Sequence, residues 1–335
     1  MSLVKKSVVA SGSLVAALLV AGTCLAAEFK FNLANEYNAT SLPAQTEAFF
    51  VDLVGKKSNG RIEITPHFGG ALGYKSRDHW TAVRDGAVTI ASTPIDKLVG
   101  FDPIFPIQTM PFVSPTIPET KALYEVCVPY YEKALAKVNQ TLLFGSPWTP
   151  QGIWAKKKIT SIDDLKGLKV RSYDVIGLKT LAAAGLSPIQ LSWADVIPAL
   201  STGSIVGVLT SDEGGVNAKF WELGVKYFNF LGYGMGISIT TMNKKAFDSL
   251  PPDMQKVIRE AAVEAQKNGW KVSEGRVGHN RKAMAAAGAF FVDDVPREVI
   301  EHLMKAGAPL LEEWKKKMGP DADKILDEYN KRMGR

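Results

Sequence analysis

Hydrophobic and polar positions alternate with two different periods along residues 161–215. Strands are predicted over residues 167–172, 187–191 and 205–209, and amphipathic helices over 175–184 and 193–200. Gly185 and Gly203 follow the two helical runs, and glycine favours the left-handed conformation that often ends a helix. This strand–helix–strand–helix–strand order predicts parallel strands joined by right-handed crossovers.

The same order is predicted nearer the amino terminus. Strands are predicted over residues 29–34, 61–67 and 88–92, with helices from Thr40 or Ser41 to Lys57 and from about Ser76 to Arg84. Later elements are helices over 118–137 and from 251 to about 287, strands over 140–146, 227–231, 236–242 and 290–292, and a charged helical tail on the surface over 297–335. The alternation of strands and helices predicts an α/β protein.

Polar side chains collect at the carboxyl ends of these predicted strands. In the second unit they are Arg171, Ser172, Trp193, Thr210 and Ser211, and in the first unit they include Asn35 and Thr93. Ligands of open α/β sheets bind just outside such ends, and an arginine there offers a planar fork of donors to an oxyanion. Two interpretations of Arg171 are open: it binds an anionic ligand, or it pairs with an acid such as Asp174.

Three motifs in the second unit carry a family resemblance. DDLKGLKVR ends at Arg171, GLSPIQLSWADVIPAL follows the first helix, and STGSIVG runs into the third strand. In order and spacing they resemble the extracytoplasmic solute-binding proteins of TRAP transporters, which use an ion gradient and no ATP hydrolysis. The resemblance implies a two-lobed periplasmic binding protein fold, with two largely parallel sheets around a hinged cleft and a long helix that spans both lobes.

The resemblance also implies lobe boundaries and roles for two residues. Lobe I would comprise residues 27–148 with about 237–276, and lobe II residues 149–236 with about 277–335. In the family an arginine after the DLKGLK run clamps the acidic group of the ligand, and Arg171 matches it. An aromatic residue matching Trp193 lies against the ligand; the alternative for Trp193 is a buried aromatic at a helix start.

Two positions depart from the family pattern. Gln151 stands where many members have a second arginine, and Thr210 stands where an asparagine is common. One positive charge then remains among neutral donors, which are Gln151, Ser172, Thr210 and Ser211. We therefore predict a small monoanionic ligand, either a short carboxylate or a short hydroxysulfonate such as isethionate; a C4-dicarboxylate is the alternative.

Four neighbouring residues are weaker candidates for the site. Trp148 and Trp154 lie near the predicted cleft, but a tryptophan at a strand edge more often packs in the core. Trp154 would narrow the cavity if it faced the ligand. Asp212 and Glu213 either cap the turn after the third strand, which we prefer, or face the cleft.

The first residues predict a secretory signal peptide over residues 1–26. Two lysines precede an apolar run over residues 8–20, and small residues up to Ala26 supply a cleavage site. A membrane anchor is disfavoured because the run falls short of the about 20 residues that a span needs. A lipid anchor on Cys24 is disfavoured by the threonine before it. We predict a periplasmic protein that begins just after this segment.

Charge and rare residues exclude several classes of function. Loss of residues 1–26 would lower the formal net charge from +6 to +4, and no basic run indicates nucleic acid. Cys127 would then have no partner for an intrachain disulfide. The four histidines are scattered, and the glycine run at 232–236 precedes a strand-like stretch and not a helix. We predict no metal, no cofactor and no catalytic residue.

The predicted function is capture of a small organic anion by a monomeric protein, which delivers it to the two integral-membrane subunits of a TRAP permease. A binding protein that feeds an ATP-driven importer would have a similar cleft, and the DLKGLKVR run argues against it. A secreted two-domain enzyme is the alternative from a different class. It would need a nucleophile or an acid–base pair in the cleft, and no spacing in the sequence suggests one.

Overall fold

A computed structural model describes residues 26–335. The predicted signal peptide lies outside the described residues except for Ala26. The strands are β1 (Phe29–Ala34), β2 (Ile62–His67), β3 (Ile90–Pro94), β4 (Gln140–Ala155), β5 (Lys169–Ser172), β6 (Ser187–Gln190), β7 (Gly207–Ser211), β8 (Tyr227–Asn243) and β9 (Phe290–Val292). The helices are α1 (Leu42–Lys57), α2 (His79–Asp85), α3 (Ile117–Ala136), α4 (Val175–Ala183), α5 (Val196–Thr202), α6 (Asp212–Asn217), α7 (Lys244–Asp248), α8 (Pro252–Ala286), α9 (Arg297–Met318) and α10 (Asp321–Arg332).

The first predicted unit is confirmed as β1–α1–β2–α2–β3, with β1 parallel to both β2 and β3. Ser41 begins α1, because its Oγ accepts a hydrogen bond from the backbone N–H of Ala44 at 3.4 Å. The apolar face of α1, with Phe50 and Val54 fully buried, packs over the sheet and against α8. Gly86 ends α2 with a φ of 79°, a conformation that glycine adopts without strain.

The second predicted unit is confirmed as β5–α4–β6–α5–β7, with β5 parallel to both β6 and β7. Asp174 begins α4, and its carboxylate accepts a hydrogen bond from the backbone N–H of Gly177 at 2.7 Å. Gly203 follows α5 with a φ of 74°. The carboxyl ends of β5 and β7 therefore lie side by side, as the pattern predicts.

Two long strands, β4 and β8, join the units into one mixed sheet with the order β2-β1-β3-β8-β4-β7-β5-β6, and β9 pairs with β8. They run antiparallel to each other, β8 is antiparallel to β3, and β4 is antiparallel to β7. The predicted two-lobed α/β fold is confirmed, but the two largely parallel sheets that we expected form one mixed sheet, because the crossing strands pair antiparallel with both units.

The crossing strands correct three predicted boundaries. The stretches predicted as separate strands over 140–146, 227–231 and 236–242 belong to β4 and β8, which continue through Pro147, Pro150 and the glycine run. Irregularities in the pairing near Pro147 and Pro150 absorb the missing donors. Such a bulge depends on the partner strand, so the sequence pattern alone does not reveal it.

The long helix α8 contacts α1 at one end of the molecule and α6 and β9 at the other, as the resemblance implies. The expectation of a surface tail is wrong for one face of α9 and α10, where Trp314, Ile325 and Tyr329 are buried. The indole of Trp314 donates a hydrogen bond to the carbonyl of Pro103 at 2.8 Å, and α10 packs on α3. Both helices are strongly amphipathic, and the charged residues of their polar faces led to the prediction of a surface tail.

Three further observations concern the described residues. Cys127 of α3 is buried, and burial raises the pKa of its thiol to about 12. Across residues 26–335, no cluster of His, Cys, Asp and Glu is arranged to hold a metal ion. No helix in that part of the chain is both long enough and apolar enough to cross a membrane.

Candidate functional site

A cavity of about 50 Å³ lies where β4 and β8 cross between the carboxyl ends of the two parallel units. Its lining residues come from both units and from the crossing strands. They are Tyr37, Pro94, Asp96, Trp148, Gln151, Arg171, Tyr173, Trp193, Thr210, Ser211, Gly214 and Gly236. Five of the eight predicted site residues are in this set: Gln151, Arg171, Trp193, Thr210 and Ser211. The strand-end rule therefore locates a real cavity.

Arg171 is the central charge of the cavity. Its side chain is 2 % exposed, and its guanidinium donates hydrogen bonds to the backbone carbonyls of Leu191, at 3.1 Å, and Leu209, at 3.3 Å. Burial lowers the pKa of the guanidinium, which nevertheless stays protonated. No acid of residues 26–335 comes within ion-pair distance of it. The alternative that Arg171 pairs with Asp174 is wrong, because Asp174 caps α4.

Aromatic rings form the walls around this guanidinium. Its carbon atom lies 5.8 Å from the ring centre of Tyr173 and 5.7 Å from that of Trp193. The ring of Tyr37 lies 4.7 Å from that of Trp148 and 5.7 Å from that of Trp193. The rings restrict the arginine side chain and present apolar faces around its positive charge, so this side of the cavity suits a compact and partly apolar anion.

Neutral hydrogen-bonding groups complete the lining. The amide oxygen of Gln151 accepts a hydrogen bond from the hydroxyl of Tyr173 at 2.7 Å, which leaves the amide nitrogen to donate into the cavity. The hydroxyl oxygen of Ser211 accepts from the backbone N–H of Gly214 at 3.1 Å, and its own proton remains to be donated. Thr210 adds a second hydroxyl on β7. These groups surround an oxyanion site without adding charge.

Two glycines let the walls approach closely. A Cβ on Gly214 would lie 2.8 Å from Oγ1 of Thr210 and 3.2 Å from the ring of Trp193. A Cβ on Gly236 would lie 3.2 Å from the ring of Trp148. Both positions therefore need the smallest residue for the cavity to keep its shape.

Three predicted site residues do not line this cavity. The amide nitrogen of Asn35 donates to Glu47 at 2.7 Å, and its amide oxygen accepts from the backbone N–H of Tyr37 at 2.7 Å. The hydroxyl of Thr93 lies 3.2 Å from Nδ1 of His79, and the hydroxyl of Ser172 donates to the backbone carbonyl of Asp174 at 2.9 Å. We correct the predicted contact set accordingly, because these side chains use their polar atoms inside the protein.

The weaker candidates divide in the same way. Trp148 lines the cavity, whereas Trp154 is fully buried in the core and its indole donates to the carbonyl of Ser211 at 3.0 Å. Asp212 accepts hydrogen bonds from Thr149 and Asn280. The preferred expectation that Asp212 and Glu213 cap the turn is wrong, because Ser211 is the residue that caps α6.

Glu213 joins α6 to the other unit. It accepts a hydrogen bond from the backbone N–H of Leu42 at 2.6 Å, at the start of α1. Nε of Arg276 on α8 lies 3.9 Å from the same carboxylate oxygen. Burial raises the pKa of Glu213 to about 7. This carboxylate is therefore a contact between the two units and lies outside the cavity lining.

Asp96, Tyr37 and Tyr173 line the cavity but were missed as site residues. Asp96 follows the end of β3 by two residues, so the strand-end rule could have included it. The ammonium of the adjacent Lys97 lies 2.6 Å from Oδ2 of Asp96. Tyr37 and Tyr173 stand just beyond β1 and β5, where only the fold shows which way a ring points.

A larger groove of about 350 Å³ lies away from these strand ends. Residues 99–110, α4 and α9 form its walls, which are mostly apolar, and at its rim Lys179 pairs with Glu313 at 3.2 Å. The buried cation, the aromatic walls and the unused donors are all in the smaller cavity. The smaller cavity is therefore the candidate ligand site.

Residues 33–317 match the family model described as bacterial extracellular solute-binding protein, family 7. Among solved structures, the chain is similar to DctP6 of Bordetella pertussis, described as an extracytoplasmic solute receptor binding pyroglutamic acid. That likeness has a TM-score of 0.86 and 29% identity, over 90% of this chain and 99% of the other.

Curated relatives agree with this match. A solute-binding protein of Sulfitobacter sp. (strain NAS-14.1) is 26% identical over 87% of this chain and 88% of its own length. A monocarboxylate 2-oxoacid-binding periplasmic protein of Nostoc sp. (strain PCC 7120) is 26% identical over 78% of this chain and 72% of its own length.

Proposed function

The chain belongs to family 7 of the bacterial extracellular solute-binding proteins, and we propose that its ligand is a small monoanionic organic acid held by Arg171. Proteins of this family are TRAP solute receptors for small organic acids and not enzymes, and they work with membrane permease subunits. Within that function, the proposed ligand is a short carboxylate or a short hydroxysulfonate such as isethionate.

The observation that carries the proposal is a buried guanidinium without an acidic partner among residues 26–335. A buried cation is costly unless an opposite charge is near. A ligand carboxylate or sulfonate on the guanidinium would supply that charge and accept paired hydrogen bonds from the fork. Gln151, Thr210 and Ser211 would donate to the remaining oxygen atoms.

Charge and size favour one acidic group over two. Asp96 already places a carboxylate in the cavity, and Lys97 is paired with it. Among the described lining residues Arg171 is the one cation, so a second acidic group on the ligand would meet repulsion from Asp96 and no further lining cation. The cavity of about 50 Å³ and its aromatic walls favour a compact ligand with an apolar face. The relatives described as binding pyroglutamic acid and 2-oxo monocarboxylates support the carboxylate form of the proposal.

The fold suggests how capture works. Arg171 lies at the end of β5, whereas Tyr37 and Asp96 follow β1 and β3 across the cleft. A ligand that contacts both sides does so only when the lobes are closed, and it therefore shifts the population towards the closed form. We propose that this form is recognised by the two integral-membrane subunits of the transporter.

A ligand panel tests the proposal. The protein is unfolded and refolded to remove any ligand, and calorimetry then measures its affinity for pyroglutamate, lactate, pyruvate, isethionate, succinate and malate. We expect a short monoanion to bind most tightly. If succinate or malate binds at least about tenfold more tightly than every short monoanion, which is about 1.4 kcal/mol, the ligand class is wrong.

The proposal also includes the cellular location and the oligomeric state. We propose that residues 1–26 are removed on export and that the mature chain is a periplasmic monomer. Mass spectrometry of the exported protein should find a start near Ala27 or Glu28, and light scattering should give the mass of one chain. A periplasmic fraction that retains residues 1–20 would contradict the cleavage, and a dimer mass would contradict the assembly state.

A further inference from the structure

We propose that Asp96 is a specificity-determining residue that accepts a hydrogen bond from an N–H or O–H group of the ligand. This inference rests on the proposed function and narrows it: the preferred ligands are acids that also carry a donor, such as lactam acids and hydroxy acids. Plain alkanoates of the same size would be poorer ligands.

The surroundings of Asp96 leave it free to accept such a bond. Lys97 lies on one side, with its ammonium 2.6 Å from Oδ2 of Asp96 and 2.8 Å from the backbone carbonyl of Tyr173. Both side chains of this pair are mostly buried. Among residues 26–335, no group donates a hydrogen bond to Oδ1, and the contact of Lys97 with the buried Oδ2 is an ion pair without hydrogen-bond geometry. One carboxylate oxygen therefore remains available at the wall of the cavity.

Asp96 and Arg171 do not form an ion pair with each other within 4 Å in the described part of the chain, although both residues line the same cavity. An acid group on the ligand would be attracted to the arginine and repelled by the aspartate. A donor on the ligand would be attracted to the aspartate and repelled by the arginine. The two residues thus fix the orientation of a ligand that carries both groups.

A small adjoining chamber extends the site behind Asp96. It measures about 20 Å³ and shares Asp96, Gln151, Tyr173 and Gly236 with the main cavity. Gln108 also lines it, and the buried amide nitrogen of Gln108 has no acceptor among the described residues. A buried donor close to a buried acceptor matches a lactam, in which a carbonyl and an N–H lie side by side.

The positions of the two charges give the donor a second effect. Asp96 follows β3 of the first unit, whereas Arg171 lies near the end of β5 of the second. An acid with a donor would therefore connect the two units, whereas an acid without one would be held mainly from one side. Only the first kind of ligand would gain binding energy from both sides of the closed cleft.

Matched ligands test the inference on the unaltered protein. Pyroglutamate is compared with 5-oxotetrahydrofuran-2-carboxylate, in which a ring oxygen replaces the N–H, and lactate is compared with propionate. We expect the acid with the donor to bind about ten- to hundredfold more tightly in at least one pair, as for a hydrogen bond to a charged group. Equal affinity within both pairs would overturn the inference and leave the proposed function standing.

A variant tests the residue itself. Asp96→Asn keeps the shape and removes the charge, and we expect it to reduce the advantage of the donor-bearing acid by about tenfold while the donor-free partner binds at least as well as before. Asp102→Asn is the matched control, because Asp102 follows β3 too but pairs with Lys137 outside the cavity. An equal loss for both ligands would show that Asp96 only supports the fold. Failure of every monoanion to bind the unaltered protein would overturn the proposed function instead.

Discussion

The two βαβαβ units bring the same topology to the cleft but use their strand ends differently. At the carboxyl ends of β1 and β3, the polar groups of Asn35 and Thr93 turn inward to Glu47 and His79. Near the end of β5, the guanidinium of Arg171 has carbonyl partners and no acid within ion-pair distance among the described residues. The first unit instead reaches the cavity through Tyr37 and Asp96, which lie beyond its strand ends.

The difference shows that position alone does not identify a ligand-binding residue. The end of a parallel strand brings a side chain near the cleft. Whether that side chain is free for a ligand depends on the hydrogen bonds it already makes inside the protein. Asn35 and Arg171 occupy comparable places. Both polar atoms of the Asn35 side chain are bonded within the protein, whereas Arg171 has no acid within ion-pair distance among the described residues.

Substitution of Arg171 is the most direct test of the difference between the two sets of strand-end residues. Arg171→Ala removes the one cation among the described lining residues of the cavity, and we expect the affinity for the best monoanion to fall at least about a hundredfold. Arg171→Lys keeps the charge but loses the planar fork, with an expected loss of about tenfold. Calorimetry measures both, and Arg281→Ala, at an exposed pair with Asp293, is the control. Unchanged affinity in Arg171→Lys would remove Arg171 from the site.

Substitution of Asn35 tests the first unit, where we expect an effect on stability and little effect on ligand binding. Asn35→Ala removes the donor to Glu47 and the acceptor for Tyr37. We expect the free energy of unfolding to fall by about 2 kcal/mol, while the affinity for the ligand stays within about threefold. Denaturant unfolding and calorimetry separate the two effects, with exposed Asn38→Ala as the control. A large loss of affinity at unchanged stability would return Asn35 to the set of ligand contacts.

The smallest expected effect concerns the acid that Asn35 contacts. Burial raises the pKa of Glu47 to about 8, whereas in the unfolded chain this pKa lies near about 4.3. As the pH falls from 8 towards 5, the folded protein takes up a proton that the unfolded chain does not, so stability rises. We expect Glu47→Gln to reduce the gain in melting temperature between pH 8 and pH 6 by about 2 to 3 °C. An unchanged gain would show that Glu47 does not titrate in this range.

The sequence predicts the outer parts of the fold well, because they depend on local patterns. Both βαβαβ units appear where apolar periodicity, helix caps and glycines agree. The extents of β4 and β8 were not predictable in the same way. Pro147, Pro150 and the glycines of 232–236 indicate breaks locally, and only the pairing of the two strands absorbs them.

The residues of the candidate site also fall into those that local sequence predicts and those that depend on the folded structure. Arg171, Thr210 and Ser211 follow from strand ends, and Gln151 and Trp193 from the family resemblance. The exclusion of Asn35, Thr93 and Ser172 depends on partners that are known only once the chain has folded. The same reason explains why Tyr37, Tyr173 and Asp96 were missed, since the directions of their side chains are set by packing between distant segments.

The crossing strands also determine the order in which the chain can fold. β3 pairs with β8, which is synthesised after the whole second unit. Thr93 can therefore pair with Ile239 only after most of the chain has been synthesised. The sheet of the first unit therefore stays incomplete until most of the chain has been synthesised, and such distant pairings slow folding. The sheet of each βαβαβ unit therefore reaches its native pairing only when the other unit is also folding. We expect the two lobes to fold in one late cooperative step and not as successive domains.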